Sequence, residues 1–344
     1  MSILGLAIHI LAVVVAANAA AIFRGRLRTR YQEILLITCG VIVGCVGLWG
    51  IMDNLFDFGE TVTELGGSIL IVVSLVVGLL LGGSFGVEGI LDSLGNHFKS
   101  RRDTAVAADQ KQRERVSLQA KDGRSAATSS SGSSLLPGKL SALPVYNYSS
   151  PRSGHRYVDG LAVATVLLCA NPVTMLASAR AGEGGSMTML YIVSIIDFLL
   201  IAALASVFGE GTAYAAIPMG IQSGFITLMG YCKVSKVEKY AASMASYSKQ
   251  IEQIEQLSAA EKAAKAAEKA HLQELLDKDT LSHTFWETTC PKILHQTCVI
   301  GGVILILLAV NMVAKKRIKV ANLLPALLIP LLYYGVMHLT ALLL

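Results

Sequence analysis

Long apolar runs separated by short polar stretches set the pattern of this chain. A helix needs about 20 apolar residues to cross the hydrocarbon layer of a bilayer. Eight runs reach or approach that length: 3–23, 33–53, 67–86, 157–178, 188–208, 212–231, 293–313 and 319–342. They lack the polar/apolar alternation of a transmembrane barrel. The pattern therefore predicts an all-α, polytopic helical membrane protein with about eight transmembrane helices. Only Gly209-Glu210-Gly211 joins the fifth and sixth runs, which predicts a helical hairpin there.

Two stretches do not fit a membrane. Residues 103–153 contain TSSSGSS, many charges and few large apolar groups. Such a segment buries too little surface to offset its ordering entropy and is expected to be disordered. Residues 233–289 include KQIEQIEQLSAAEKAAKAAEKAHLQELLDK, rich in strong helix formers with Glu–Lys pairs three or four apart. A helical hairpin or stalk with a solvated charged face is expected. The domain reading is then 1–102 (spans 1–3), 103–153 (polar linker), 154–231 (spans 4–6), 232–290 (soluble charged helical insert) and 291–344 (spans 7–8).

Composition agrees. The chain is 53% hydrophobic and 15% charged, with mean hydropathy +0.57, where soluble domains carry about 25% charged residues. Its net charge of +5 has no basic patch interleaved with stacking aromatics, so no nucleic-acid partner is expected. Lys and Arg instead cluster in short loops: RGRLRTR at 24–30, Lys99 to Arg102, Arg152 and Arg156, and KKRIK at 315–319. The loop after the second run, DNLFDFGETVTE, is acidic. Eight spans put every basic cluster on the cytoplasmic side of the cell membrane, with both termini and the 232–290 insert outside. The arginines follow the first run, where a signal peptide carries its charge before, so an uncleaved first span is expected.

Six cysteines show neither CxxC spacing nor a zinc-site cluster, so no metal or other cofactor is expected. Cys232 and Cys290 flank the insert. A disulfide between them is open, and two unpaired thiols are the simpler reading.

The polar groups inside the runs carry the candidate chemistry. Asp197 sits in YIVSIIDFLLIA, and an ionised carboxylate at mid-span costs roughly 2.5–3.5 kcal/mol on insertion scales. It must face the protein interior, be paired, or be protonated. A structural hydrogen bond to a neighbouring helix and a role as ion, proton or substrate ligand both stay open. Ser194 lies one turn earlier on the same face. In CANPVT, Pro172 breaks the fourth run after Cys169 and Asn171, freeing backbone groups that are tolerated only within protein or beside a wet cavity. In IPMGIQSG, Pro218 interrupts the sixth run, with Gln222 and Ser223 as polar candidates; Gly220 and Gly224 suit close packing. Pro325 and Asn322 repeat the theme in the eighth run. His9, in the first run, reads more simply as a core or interface histidine than as a ligand.

A weak repeat is visible. ILLITC at 34–39 matches ILHQTC at 293–298, and GLAIHILAV at 5–13 matches GTAYAAIPM at 211–219. These pair the first run with the sixth and the second with the seventh. An offset of five implies opposite orientation, hence an inverted repeat of spans 1–3 and 6–8, an architecture common in secondary transporters.

The stretches RYVDGLAVATVLLCANPVTMLAS, YIVSIIDFLLIAALASVFGEGTAYAAIPMGIQSGFITLMG and KKRIKVANLLPALLIP, with GLAIHILAVVV and VEGILDSLGNHFKSR in order before them, resemble the bacterial membrane-protein family of unknown function 554, the YdfK/YqgA-like proteins. The resemblance covers about two-thirds of the chain and leaves out the two charged inserts. It implies a membrane architecture and transport, with Cys169, Ser194, Asp197, Gln222, Gly224, Asn322 and Pro325 at matching positions and no catalytic residues. A family asparagine is His9 here, and AANAAA at 16–21 replaces a glycine-rich stretch.

The leading expectation is a secondary transporter or permease for a small solute or ion. Asp197 would titrate or coordinate, Asn171, Gln222 and Asn322 would hold the solute, and Pro172 and Pro218 would open the helices. The other expectation is a non-transporting scaffold or assembly protein that uses the insert as its partner surface. An enzyme is not expected: HExxH, GxSxG and a second mid-span carboxylate are missing. Expected partners are the bilayer, the solute and, as an open point, further copies of the chain.

Overall fold

A computed structural model describes residues 2–23, 29–56, 65–101, 104, 151–314 and 318–343. Among them helices dominate and no strand occurs. The apolar runs become α1 (Ser2–Phe23), α2 (Thr29–Phe56) and α3 (Leu65–Phe85), and α4 (87–101) follows the turn at Gly86. Next come α5 (Pro151–Cys169), α6 (Pro172–Gly182), α7 (Thr188–Phe208) and α8 (Ala216–Glu255). The chain ends with α9 (Ala259–Ala264), α10 (Ala266–Thr284), α11 (Cys290–Ala314) and α12 (Ile329–Leu343). Of the expected linker 103–153, only Thr104 and the helical residues from Pro151 on are described.

Five helical stretches are long and apolar enough to cross a membrane: Arg30–Leu55, Gly67–Phe85, Thr188–Phe208, Ala266–Ala314 and Val320–Leu343. The fourth expected run adds a sixth only as a bent pair, Tyr157–Cys169 and Pro172–Gly182, at 53° to each other. The first contributes a shorter apolar helix, Leu4–Ala20. The sixth run falls short of the hydropathy of a span because Pro218, Gln222, Ser223 and Thr227 sit within it. The eighth starts as a 3-10 segment, Val320–Leu328, around Pro325, whose ring cannot sit in a regular α-helix interior.

The insert continues the helices on either side of it. Cys232 lies inside α8, which runs unbroken from the sixth run to Glu255. The chain returns through α10, a π-helical turn at Phe285–Thr289 and α11. α10 packs back along α8 as the second arm of a hairpin. Hydrogen bonds from Lys269 to Glu255 and Lys278 to Glu274 tie its surface, and Ser258 with Glu261 forms a capping box at the bend. These bonds hold all three carboxyls below the usual carboxylate range. Cys232 and Cys290 are both free thiols.

The core is drawn from α2, α5, α6, α7 and α11, with α1 and the 3-10 segment closing it. α11 packs along α2, α1 along α7, and α3 against the 3-10 segment. Close approach rests on small residues, as is usual between helices in lipid. A Cβ on Gly302 would lie 2.6 Å from the Gly47 carbonyl oxygen, and one on Gly47 2.7 Å from the Gly302 oxygen. Gly209, at φ 94°, ends α7 in the left-handed region that favours glycine, and a 3-10 turn, Glu210–Ala215, leads from it into α8. Gly302→Ala is expected to lower the stability of the detergent-purified protein by about 1–3 kcal/mol, the usual cost of overpacking. Gly83→Ala, with open space at its Cβ, should leave the thermal unfolding midpoint unchanged.

Candidate functional site

The broken helix determines the site. Pro172 at the first turn of α6 has no N–H to leave unpaired. Asn171 caps that helix: its backbone is extended (φ −70°, ψ 109°) and its side-chain Oδ1 accepts from the Val173 N–H at 3.1 Å. Neighbouring helices close on the break through glycine. Gly50 of α2 lies against the Pro172 ring, and Gly301 of α11 against the Ala170 carbonyl. The Cys298 thiol reaches the Pro172 carbonyl at 3.7 Å.

Asp197 lies beside this first turn and is fully buried. Its Oδ1 accepts from the Asn171 side-chain N–H at 3.1 Å, and its Oδ2 from the Thr174 hydroxyl at 3.1 Å. His9 Nε2 of α1 meets the same Oδ2 at 3.0 Å and is equally buried. The carboxylate thus bridges α1, α6 and α7. The N-terminal dipole of α6 adds to its stabilisation, since helix N-termini favour anions. Asn171 uses both ends of its amide, one for the cap and one for the carboxylate, which fixes its orientation. His9 Nδ1 is buried and has no hydrogen-bond partner among the described residues.

The cluster's net charge depends on its protons. Carboxylate with neutral imidazole carries −1; one further proton, on either group, brings it to zero. A change of one unit in a dry interior is a large electrostatic event.

The other sequence candidates divide. Gln222 donates to the Cys169 carbonyl at 2.7 Å, capturing an acceptor that the break released. Pro218, Gln222 and Cys169 line a cavity of about 730 Å³ on the far side of the break, together with Thr165, whose hydroxyl is buried and unpartnered. Ser194 turns back to its own helix, donating to the Leu190 carbonyl at 2.7 Å. Ser223 is buried on α8. Asn322, with Pro325 in the 3-10 segment, accepts from the Glu88 N–H at 3.1 Å and belongs to the α4 junction. The structure therefore joins Asn171 to Asp197, puts Cys169 and Gln222 behind the break, and leaves Ser194 and Asn322 outside the cluster's hydrogen bonds. Sequence reading missed Thr174 and the role of His9. Thr174 is one turn past the break, and His9 lies 188 positions from its partner.

Among the described residues no group of His, Cys, Asp and Glu is arranged to hold a metal ion. The family described as protein of unknown function (DUF554) matches residues 4–119, 135–245 and 279–334. The chain belongs to this family. The match spans every element of the cluster and breaks at 120–134 and 246–278, inside the two charged inserts. No curated protein and no solved structure matches the chain.

Asn171→Ala removes both the cap and a donor to a buried carboxylate. It should destabilise the protein by about 2–4 kcal/mol in denaturant or thermal unfolding. Ser194→Ala, which removes a bond only to its own helix, should stay within about 0.5 kcal/mol.

Proposed function

We propose that the protein is a secondary transporter or permease of the cytoplasmic membrane, passing several times through the bilayer and moving a small solute or ion. The supporting observation is the buried Asp197–His9 pair beside a helix broken at mid-run. Buried ionisable groups inside membrane segments are costly and are retained chiefly where ions, protons or substrates pass. Discontinuous helices whose N-termini face a polar site are the usual construction of transporter binding sites. Asp197 is the group that takes and releases the proton or cation, and His9 moves the charge balance with it. Asn171 and Thr174 couple that change to the first turn of α6, so a shift in charge bears directly on the bend.

The inverted repeat belongs to this reading. The two pairs of runs matched in sequence also pack together, α1 against α8 and α2 against α11; so does the third pair that the repeat implies, α3 with the 3-10 segment and α12. Members related by an axis between them would meet in this way. The reading asks no catalytic step of the cluster: the carboxylate's partners are His9, Asn171 and Thr174, and no second carboxylate is bonded to it among the described residues. The scaffold reading draws on the exposed charge of the α8–α10 hairpin. The family match passes over 246–278, which favours a function seated in the membrane part.

The test uses purified protein in liposomes loaded with a pH-sensitive dye. Solutes are added one class at a time, and proton movement is followed. Asp197→Asn keeps the shape and removes the charge. Solute-dependent proton flux in the wild type should fall by tenfold or more in the variant, as for loss of an interaction worth about 1.4 kcal/mol or more. Equal flux in both proteins would contradict the proposal.

A further inference from the structure

The cavity behind the break has a shape and charge that the transport reading does not use. No residue of the His9–Asn171–Thr174–Asp197 cluster lines it. One wall is a single stripe of α8: Pro218, Gln222, Phe225, Ile226, Met229 and Lys233. Its spacing of three and four residues is that of one helix face. From Pro218 to Lys233 the stripe extends for about 22 Å at the helical rise of about 1.5 Å per residue, more than half of a hydrocarbon layer about 30 Å thick. The facing wall carries Leu324, Leu327, Leu328 and Leu331 of the 3-10 segment and α12, from which α8 stands off. The volume, about 730 Å³, falls within the range of small-molecule pockets, about 300–1,000 Å³.

The charge lies at one end only. Glu183 is neutralised by Lys233 at 2.6 Å. Arg180, also lining the cavity, is exposed, and no hydrogen bond or ion pair of its side chain occurs among the described residues. Two cations and one anion leave a single positive charge at the Lys233 end of the α8 stripe. A guanidinium matches a carboxylate bidentately.

We propose that this cavity binds a long-chain monocarboxylate, its chain along the apolar stripe of α8 and its carboxylate on Arg180. The inference stands independently of transport, because it concerns equilibrium occupancy of a site outside the cluster.

The probe is radiolabelled hexadecanoate, bound to the purified full chain in phosphatidylcholine nanodiscs. Saturable binding is expected; it is read at equilibrium with no gradient across the bilayer, so the outcome is separate from that of the flux assay. Arg180→Gln should weaken binding about tenfold, as for loss of a charge-assisted hydrogen bond. Met229→Trp, which fills the slot without altering charge, should weaken it at least as much. Hexadecylamine should not compete. Unchanged affinity in either variant, equal competition by hexadecylamine, or displacement by phosphatidylglycerol at equal concentration would overturn the proposal; the last would assign the slot to a two-chain lipid.

Discussion

A carboxylate with no access to water must be given hydrogen-bond donors by the protein, and the centre of this molecule follows from that need. Asp197 receives three, from two distant sequence regions: His9 of α1, and Asn171 and Thr174 at the start of α6. Removing a donor from a buried charge costs more than forming the bond gains. The carboxylate therefore holds α1 and α6 to α7. The break at Pro172 is equally necessary, because only a helix end offers a cap residue, a free first-turn hydroxyl and a positive dipole at one place. Gly50 and Gly301 then allow α2 and α11 to close around it.

This arrangement joins charge to shape. Asn171 donates to the carboxylate and is also the cap of α6. The 53° bend between α5 and α6 thus lies at the same amide that binds the carboxylate. Behind the bend, Gln222 takes the Cys169 carbonyl, so α8 is tied to the break from its other side. The proposed transport role rests on these parts, a buried carboxylate at a helix break flanked by two partner helices.

Much of this was legible in the chain. The apolar runs gave the helices because the length of a span is a physical constant of the bilayer. Asp197 and the Asn171-Pro172 break stood out because a charge or a proline inside such a run has few tolerable explanations. The pairing with His9 was not legible: the two residues are 188 positions apart, and no periodicity relates a residue to a helix that packs beside it only in the fold. Ser194 and Asn322 mark the converse. A polar side chain in lipid satisfies itself either across helices or on nearby backbone, and sequence does not separate the two. Ser194 chose its own helix and Asn322 a backbone amide of α4. The insert was legible as helix. Its continuity with α8 and α11 was less so, since a change in composition from apolar to charged marks the water boundary, not a break in the backbone.

The most direct measurement is a double-mutant cycle on unfolding free energy, with His9→Ala, Asp197→Ala and the double variant in the same detergent. If the buried pair ties α1 to α7 as described, the two changes should be coupled by about 1 kcal/mol or more, within the range for residues in contact. Additivity to within about 0.3–0.5 kcal/mol, as for distant and independent sites, would contradict it.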